Sequence, residues 1–351
     1  MRLLAPFIYL VVLLALAAVA GIFYFGYSFR QFETVEAVPG LDCIPVVGIS
    51  GAADIEPVPG TSFVYMSAHD RRGGARRGMI LRFDTANPLD DTSWKDRTGG
   101  EPILFEPVGI DLFQATLRGG QVLTRLFVVN IAGPEILLFD VDANGDLSLI
   151  EKFKDPRLLS PNDIVATGPR SFYVTNDTAS GRKTWRGKLD FLLGLKTGQI
   201  FHYDGTAWAD VAAGLAFPNG LALSEDGQTL YLAEMRAKTI TTYDRDPRTD
   251  VISSQKGVKL ASFPNNLSID QNGHLMVGMV PQPFSFTAYT EGLQEKAASQ
   301  IIRIEEDETI TTLFQDPGDV LSAATVGVQI NNHILIGSKA ANRFLMCETD
   351  Q

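Results

Sequence analysis

Three asparagines occupy the same place in a repeated phrase of the sequence. Asn162, Asn219 and Asn266 each lie one or two residues after a proline. Each is followed by an alternating apolar run, a turn and a second apolar run, which is the pattern of two antiparallel strands. Carboxamide oxygens at one position of a repeat can converge on a common centre, and Ca²⁺ takes about six to eight oxygen ligands. The repeat therefore predicts an oxygen-rich cation site; the simpler interpretation is that asparagine makes the turn before each strand.

The repeat extends over most of the chain. Segments with the same strand–turn–strand pattern return about every fifty residues on both sides of the asparagines. Aligned on the asparagines, the repeat positions are 53, 108, 162, 219, 266 and 324. Six such units, with many glycines and prolines and few helical patterns, indicate an all-β chain folded as a six-bladed β-propeller.

The aligned positions are expected to form a ring around the central channel, because the first strand of each propeller blade lines the axis. The ring carboxamides are those of Asn162, Asn219, Asn265 and Asn266. One position further along, the repeat carries Asp54 and Asp163. Together with the main-chain carbonyl of Ile110, these two carboxylates predict a second oxygen site deeper in the channel.

The first segment of the chain has the composition of a membrane helix. No charged residue occurs between Arg2 and Arg30, and Leu3 to Phe25 is almost wholly apolar. This is long enough to cross a bilayer core of about 30 Å as a helix. A cleaved signal peptide is the alternative, since Ala18–Ala20 forms a small-residue cleavage site. The favoured organisation is an anchor over residues 1–30, with a propeller over residues 31–351 outside the cytosol.

Composition excludes some partners and suggests one covalent bond. The net charge of −11 argues against binding nucleic acid or an anionic membrane surface. The chain has two cysteines, Cys43 and Cys347, which lie near the two ends of the folded part. Behind an export signal, a disulfide between them is expected. Such a bond would close the propeller by joining its first strand to its last blade.

The residues also resemble a known family, the paraoxonase/arylesterase group of calcium-dependent propeller hydrolases, which is allied to the SMP-30/gluconolactonase lactonases. The resemblance runs from about Cys43 to Glu348 and includes the hydrophobic N-terminus and the two end cysteines. The motifs that carry it are SPNDIVATGPRSFYVTND, LAFPNGLALSEDGQTLYLAEM, FPNNLSID and ILIGSKAANRFLMCE.

The resemblance implies calcium-dependent hydrolysis of esters or lactones, with one or two calcium ions in the channel. It implies ligands of a catalytic calcium at Asn162, Asn219, Asn265 and Asn266. It implies ligands of a structural calcium at Asp54, Asp163 and the carbonyl of Ile110.

The departures from the family pattern bear directly on activity. Ala53 stands where the family has a glutamate ligand of the catalytic calcium, and Asn265 where it has an aspartate. Losing two carboxylates is expected to weaken calcium binding. The family's histidine pair falls on Val108 and Ile131, neither of which can accept a proton. Glu56 is near in sequence, but in a strand an offset of three residues from Ala53 puts it on the opposite face.

The general base is therefore unassigned. The chain has four histidines, and we expect three of them, His202, His274 and His333, to be packed or exposed strand and hairpin residues. His69, beside Asp70 at the end of a strand in the first unit, is the one histidine worth testing as a general base. Asp177 also ends a strand, and the simpler interpretation makes it a turn residue.

The segment from Thr178 to Lys196 interrupts the blade pattern. It combines a basic run with several apolar residues, so it could be a lid or membrane contact, or a packed helix between two blades. Two functions remain for the whole chain. One is a calcium-dependent ester or lactone hydrolase. The other is a catalytically impaired, membrane-tethered propeller that acts as a binding or structural protein.

Overall fold

A computed structural model describes residues 4–38, 40–91 and 94–349. Its first element is the helix α1 (Leu4–Ser28), and the part from Phe7 to Ser28 is long and apolar enough to cross a membrane, with a mean hydropathy of 2.6. All the remaining long elements are strands, apart from two short helices, α2 (Trp185–Leu193) and α3 (Pro283–Thr290).

The strands form six antiparallel sheets, which are the blades of a propeller. The first blade has three strands within the described residues, and each of the others has four. The first and second blades are β2 (Ala52–Pro57), β3 (Phe63–Ala68) and β4 (Met79–Asp84), then β5 (Pro107–Thr116), β6 (Val122–Asn130), β7 (Glu135–Val141) and β8 (Leu147–Phe153). The third and fourth are β9 (Pro161–Ala166), β10 (Phe172–Asn176), β11 (Gly198–Tyr203) and β12 (Trp208–Leu215), then β13 (Pro218–Leu223), β14 (Thr229–Glu234), β15 (Thr239–Asp246) and β16 (Val251–Lys259). The fifth and sixth are β17 (Phe263–Ile269), β18 (Leu275–Val280), β19 (Ser299–Ile304) and β20 (Ile310–Asp316), then β21 (Ala324–Ile330), β22 (His333–Ser338) and β23 (Arg343–Glu348), with β1 (Asp42–Val47) as outer strand.

The ends of the chain close the propeller. Strand β1 pairs antiparallel with β23, and Cys43 lies opposite Cys347 in their register. The two cysteines form a disulfide across 304 residues of sequence. The predicted six-bladed fold and the predicted disulfide are both confirmed.

The core lies between neighbouring blades. Alternating apolar residues of one sheet pack against those of the next, as Val64, Met66 and Phe83 of the first blade do against Val328 and its neighbours in the sixth. Burial of these faces is the main favourable term that holds the blades in a ring. The inner strands β2, β5, β9, β13, β17 and β21 contact one another in a closed circle around the channel.

The end of α1 is part of the propeller. Phe29 is fully buried and stacks on Phe263 and Phe284, with Phe191 of α2 beside them. Strand β17 starts at Phe263, α2 follows the end of β10, and α3 follows the end of β18. These three places lie at the same end of the channel, where the inner strands begin. We call this end the channel mouth. The apolar helix α1 therefore joins the propeller on the side of the mouth.

Candidate functional site

A bulge at the start of each inner strand brings consecutive residues into the channel. The pairing shifts between Ala52 and Asp54 in β2, and equivalent shifts occur at the starts of the other five inner strands. A bulge sets two residues against one and re-aims their side chains. This is why Asn162 and its neighbour Asp163 both contribute polar contacts to the channel, which a regular strand would not allow.

The ring asparagines are buried, with 4–7% of their surface exposed. Nδ2 of Asn162 donates to Oδ1 of Asp177 at 2.9 Å. Nδ2 of Asn266 donates to Oδ1 of Asp54 at 3.0 Å and to the carbonyl of Ala53 at 3.3 Å. Oδ1 of Asn219 is buried and has no hydrogen-bond partner among the described residues. Neighbouring acceptors hold the nitrogen ends of Asn162 and Asn266, so their oxygens remain available as acceptors or ligands.

Below the ring, carboxylates join adjacent blades. Oδ2 of Asp54 accepts from the backbone N–H of Ile110 at 2.8 Å, and Oδ2 of Asp163 accepts from that of Leu221 at 2.7 Å. The two contacts are equivalent: each aspartate accepts from the backbone N–H at the same repeat position of the next blade. The fit is close: a Cβ on Gly109 would lie 2.4 Å from Oδ1 of Asp163, so only glycine can precede Ile110.

Two further carboxylates lie in this region: Glu56, which was predicted to face away, and Asp111, which was not predicted. Glu56 interacts electrostatically with Asp54, Asp111 and Asp163, and burial, followed by repulsion from these three, raises its pKa well above the usual range. Asp111 accepts from the backbone N–H of Ala166 at 2.6 Å. The prediction that Glu56 would face away from the channel was wrong, because it assumed a strand without the bulge at Ala52–Asp54.

The donor sets fit a hard cation to different degrees. Among the described residues, no group of three or more His, Cys, Asp or Glu side chains forms a ready metal site. The lower set nevertheless brings together four carboxylates, from Asp54, Glu56, Asp111 and Asp163, and burial raises the pKa of all four. Carboxylate oxygens suit Ca²⁺, whereas the asparagine ring offers oxygens without charge.

Asp177 lies at the mouth and is not a simple turn residue. It is fully buried, accepts from Asn162 and contacts NH2 of Arg182 through its second oxygen. Burial raises the pKa of Asp177, and the charge of Arg182 opposes that effect. Because Oδ1 of this buried carboxylate accepts from Nδ2 of Asn162, it fixes the orientation of the Asn162 carboxamide.

His69 also lies beside the mouth. Its Nε2 is 2.9 Å from the carbonyl of Ala75, and its Nδ1 is buried, 3.9 Å from Oε1 of Glu106. Burial lowers the pKa of His69, so the ring is neutral near pH 7. Donation from Nε2 to Ala75 leaves Nδ1 as the basic nitrogen. Asp70 does not orient the ring, because its carboxylate binds the backbone N–H of Gly73.

The remaining histidines lie towards the end of the channel away from the mouth. His202 is buried beside Asp250, while His274 lies 3.0 Å from Asp270 and 2.8 Å from Glu305 at a hairpin. Val108 and Ile131, at the positions implied for a histidine pair, are apolar residues in apolar surroundings. Val108 is buried in the core between the second and third blades, and Ile131 packs against the same cluster.

The segment after Asp177 contains a packed helix. Arg236 donates to the carbonyls of Phe191 and Leu192 in α2, and Phe191 packs against Phe217. The helix still exposes apolar side chains at the mouth, with Trp185 70% and Leu193 50% exposed. Of the two interpretations, the packed helix is the one observed, although its outer face is suited to an apolar environment.

Comparisons with known proteins agree with this geometry. A family model described as Arylesterase matches residues 96–349. The chain belongs to the arylesterase family. It is 30% identical over 339 residues to serum paraoxonase/arylesterase 1 from Homo sapiens, covering 92% of each chain. It is 29% identical over 339 residues to serum paraoxonase/arylesterase 2 from Bos taurus, covering 91% of this chain and 92% of the relative.

The fold also matches solved propellers outside the arylesterase family. A gluconolactonase from Xanthomonas campestris aligns with a TM-score of 0.58 at 14% identity, over 91% of this chain and 99% of that one. At this identity the match supports the fold alone. The expected resemblance to arylesterases and to gluconolactonase-like propellers is thus confirmed.

Proposed function

We propose that this arylesterase-family chain is a calcium-dependent hydrolase of carboxylic esters or lactones, with the reaction at the channel mouth. The observation that carries the proposal is the asparagine ring, whose carboxamides are buried and, at Asn162 and Asn266, held by their nitrogens. Family membership supports the class of reaction, and the buried ring supports a location near the mouth.

Two calcium sites belong to the proposal. The lower site would use Asp54, Asp163 and the carbonyl of Ile110, with Glu56 and Asp111 close enough to add charge. The upper site would use the carboxamide oxygens of Asn162, Asn219, Asn265 and Asn266. A calcium ion bound at the ring would polarise the substrate carbonyl and stabilise the oxyanion that develops on it.

The chain's own residues would position the substrate and handle the proton. Asp177 holds the Asn162 carboxamide in one orientation, and Arg182 neutralises that carboxylate. His69 is the candidate for accepting the proton of the attacking water, through its Nδ1.

We further propose that α1 is a single-pass anchor that holds the propeller outside the cytosol. The apolar span Phe7–Ser28 and the disulfide both favour an exported, anchored protein. Because α1 joins the propeller beside α2 and α3, the mouth would face the bilayer, where small apolar esters and lactones concentrate. Resistance of the chain to extraction at alkaline pH, with the propeller accessible to protease from outside, would support this topology; a cleaved and soluble product would contradict it.

The alternative is a membrane-tethered binding protein without catalysis. Ala53, Val108 and Ile131 favour it, since they remove a carboxylate and two proton acceptors from positions around the ring. Metal analysis of the full chain in detergent, together with a panel of aryl esters and lactones, separates the two functions. Two bound calcium ions and calcium-dependent turnover would support the hydrolase. One ion and no turnover would support the binding protein.

A further inference from the structure

An open groove of about 570 Å³ lies where α1 joins the propeller. Its lining comes from the end of α1, from the residues directly after it and from two propeller loops. The lining residues are Tyr27, Ser28, Arg30, Glu33, Lys238 and Ala261. They include neither His69 nor an asparagine of the ring, so the groove is distinct from the candidate catalytic site.

The groove lies just beyond the apolar span of α1. The span Phe7–Ser28 has 22 residues, so the helix is about 33 Å long at 1.5 Å per residue. That length matches a bilayer hydrocarbon core of about 30 Å. With α1 in a membrane, the groove would lie at the depth of the lipid headgroups. Tyr27, which is 80% exposed, fits this layer, because tyrosine is enriched at membrane–water interfaces.

The ammonium of Lys238 is held at the groove without a counter-charge. Its Nζ lies 4.5 Å from the centre of the Phe263 ring, and that ring stacks on Phe29. The backbone of Lys238 is fixed as well, since its carbonyl accepts from the N–H of Leu260 at 2.9 Å. No described residue forms an ion pair or a hydrogen bond with the ammonium. A cation–π contact leaves the charge in place, so the ammonium can still donate to an anion.

Positive charge exceeds negative charge around the groove. Glu33 is the carboxylate among the lining residues, and its Oε2 already accepts from Nε of Arg30 at 2.7 Å. Arg236 adds a further positive charge, with its Cζ 6.0 Å from the centre of the same phenylalanine ring. The hydroxyl groups of Tyr27 and Ser28 have no hydrogen-bond partner among the described residues. This local excess of cations and donors contrasts with the net charge of −11 of the whole chain.

We propose that the groove binds the phosphate group of an anionic phospholipid, with Lys238 as the main donor and the hydroxyl groups of Tyr27 and Ser28 as uncharged donors. An unpaired ammonium beside hydroxyl donors is suited to a phosphate. The position at the end of the apolar span favours a lipid over a soluble phosphate. The location in a membrane rests on the proposed anchoring by α1, whereas the binding itself needs neither catalysis nor calcium.

The first test measures lipid binding to the full chain in dodecyl maltoside. Dioleoylphosphatidylglycerol, which is anionic, and dioleoylphosphatidylcholine, which is neutral overall, are added separately, and native mass spectrometry gives the fraction of chains that carry one lipid. The parent should bind the phosphatidylglycerol more tightly. Lys238→Met should weaken that binding about fivefold, the effect of one basic residue near an anionic lipid surface. Lys238→Arg should retain most of it.

Lys256→Met is the matched control, because Lys256 belongs to the same blade, is 76% exposed and pairs with Glu308. It should bind phosphatidylglycerol within about twofold of the parent, as expected for an exposed ion pair. Thermal unfolding verifies that each variant is folded. Equal binding of phosphatidylglycerol by the parent, Lys238→Met and Lys256→Met would overturn the site, as would equal binding of the two lipids by the parent.

A competitor separates a lipid from a soluble phosphate. Glycerol 3-phosphate carries the phosphate without acyl chains, so it should displace the bound phosphatidylglycerol only at concentrations far above that of the lipid. Displacement at equal concentration would overturn the assignment to a lipid.

Alkaline extraction of membranes separates the groove from the anchor. Lys238→Met should stay in the membrane like the parent, because α1 alone would hold the chain. Retention of the chain together with lipid binding that does not depend on Lys238 would refute the groove and leave the anchor. Release of the chain together with binding in detergent that does depend on Lys238 would refute the anchor and support the groove.

Discussion

Nδ2 of Asn162 lies 2.9 Å from Oδ1 of Asp177, so a buried carboxylate determines which end of a ring carboxamide is free. The second oxygen of Asp177 contacts Arg182. A charge pair at the mouth thus orients a neutral carboxamide of the ring. The orientation would be lost if the carboxylate became an amide, because either end of an amide can face Asn162.

Asp177→Asn should therefore lower kcat of any ester or lactone turned over by about tenfold, with a smaller change in KM. Asp177→Ala should also lower the free energy of unfolding by about 2–3 kcal/mol, since it leaves the buried Nδ2 of Asn162 without an acceptor and removes the ion pair with Arg182. The comparison variant is Asp210→Asn, whose side chain is 43% exposed and pairs with Arg157. Equal activity of Asp177→Asn and Asp210→Asn would show that the Asn162 orientation does not matter.

Calcium should stabilise the fold through the lower carboxylates. Added calcium is expected to raise the Tm of the metal-free parent, because a cation offsets the repulsion among Asp54, Glu56, Asp111 and Asp163. Asp163→Asn should remove most of this rise. Asp140→Asn, at a half-exposed aspartate paired with Arg125, should keep it. A calcium-dependent rise in Tm that persists in Asp163→Asn would place the ion elsewhere.

The sequence predicted the blades more fully than the channel. The repeat of strand, turn and strand is a local pattern, and the six aligned positions do lie on the six inner strands. The direction of the Glu56 side chain was not predictable from the alternation of residues along a strand, because one bulge changes which side chains face the axis. Glu56 and Asp111 do share one repeat position, three residues after 53 and 108, and that coincidence was the available signal.

The mouth was harder to predict for a different reason. Arg71, Asp177 and Lys339 lie in loops of three different blades. They come close together only when the whole ring closes, so no spacing in the sequence predicts that they share a site. The repeat identifies what lines the axis, while the loops that complete the site become visible only in three dimensions.

Phe29, directly after the predicted membrane span, packs into the propeller. Its ring is fully buried and stacks on Phe263 and Phe284. Phe29→Ala should lower the free energy of unfolding of the propeller by about 3 kcal/mol, the lower end for a buried phenylalanine. Phe23→Ala, in the apolar span at 63% exposure, is the control and should leave it unchanged within about 0.5 kcal/mol. Denaturation of both variants in the same detergent makes the comparison, and equal stability would mean that Phe29 packs only loosely.

The disulfide should contribute strongly to stability, because it closes a loop of 304 residues. Replacing both Cys43 and Cys347 with serine should lower the free energy of unfolding by about 3–5 kcal/mol, through the greater freedom of the unfolded chain. The single variant Cys43→Ser should expose a thiol at Cys347 that reacts after unfolding. An unfolded, unreduced parent that reacts with a thiol reagent would contradict the bond.

The channel carboxylates also predict how stability depends on pH. Burial raises the pKa of Asp54 and Asp111 from 3.8 to about 7. Between these values the folded chain keeps protons that the unfolded chain has released. The free energy of unfolding must therefore fall as pH rises from about 4 to about 7.

Thermal unfolding of metal-free protein, prepared with a chelating resin, should show a falling Tm over this range. Calcium should flatten the slope, because it replaces the protons as counter-charge. Asp111→Asn should also flatten it without calcium, whereas Asp140→Asn should not, and a Tm that rises with pH in the metal-free parent would rule out raised carboxylate pKa values in the channel.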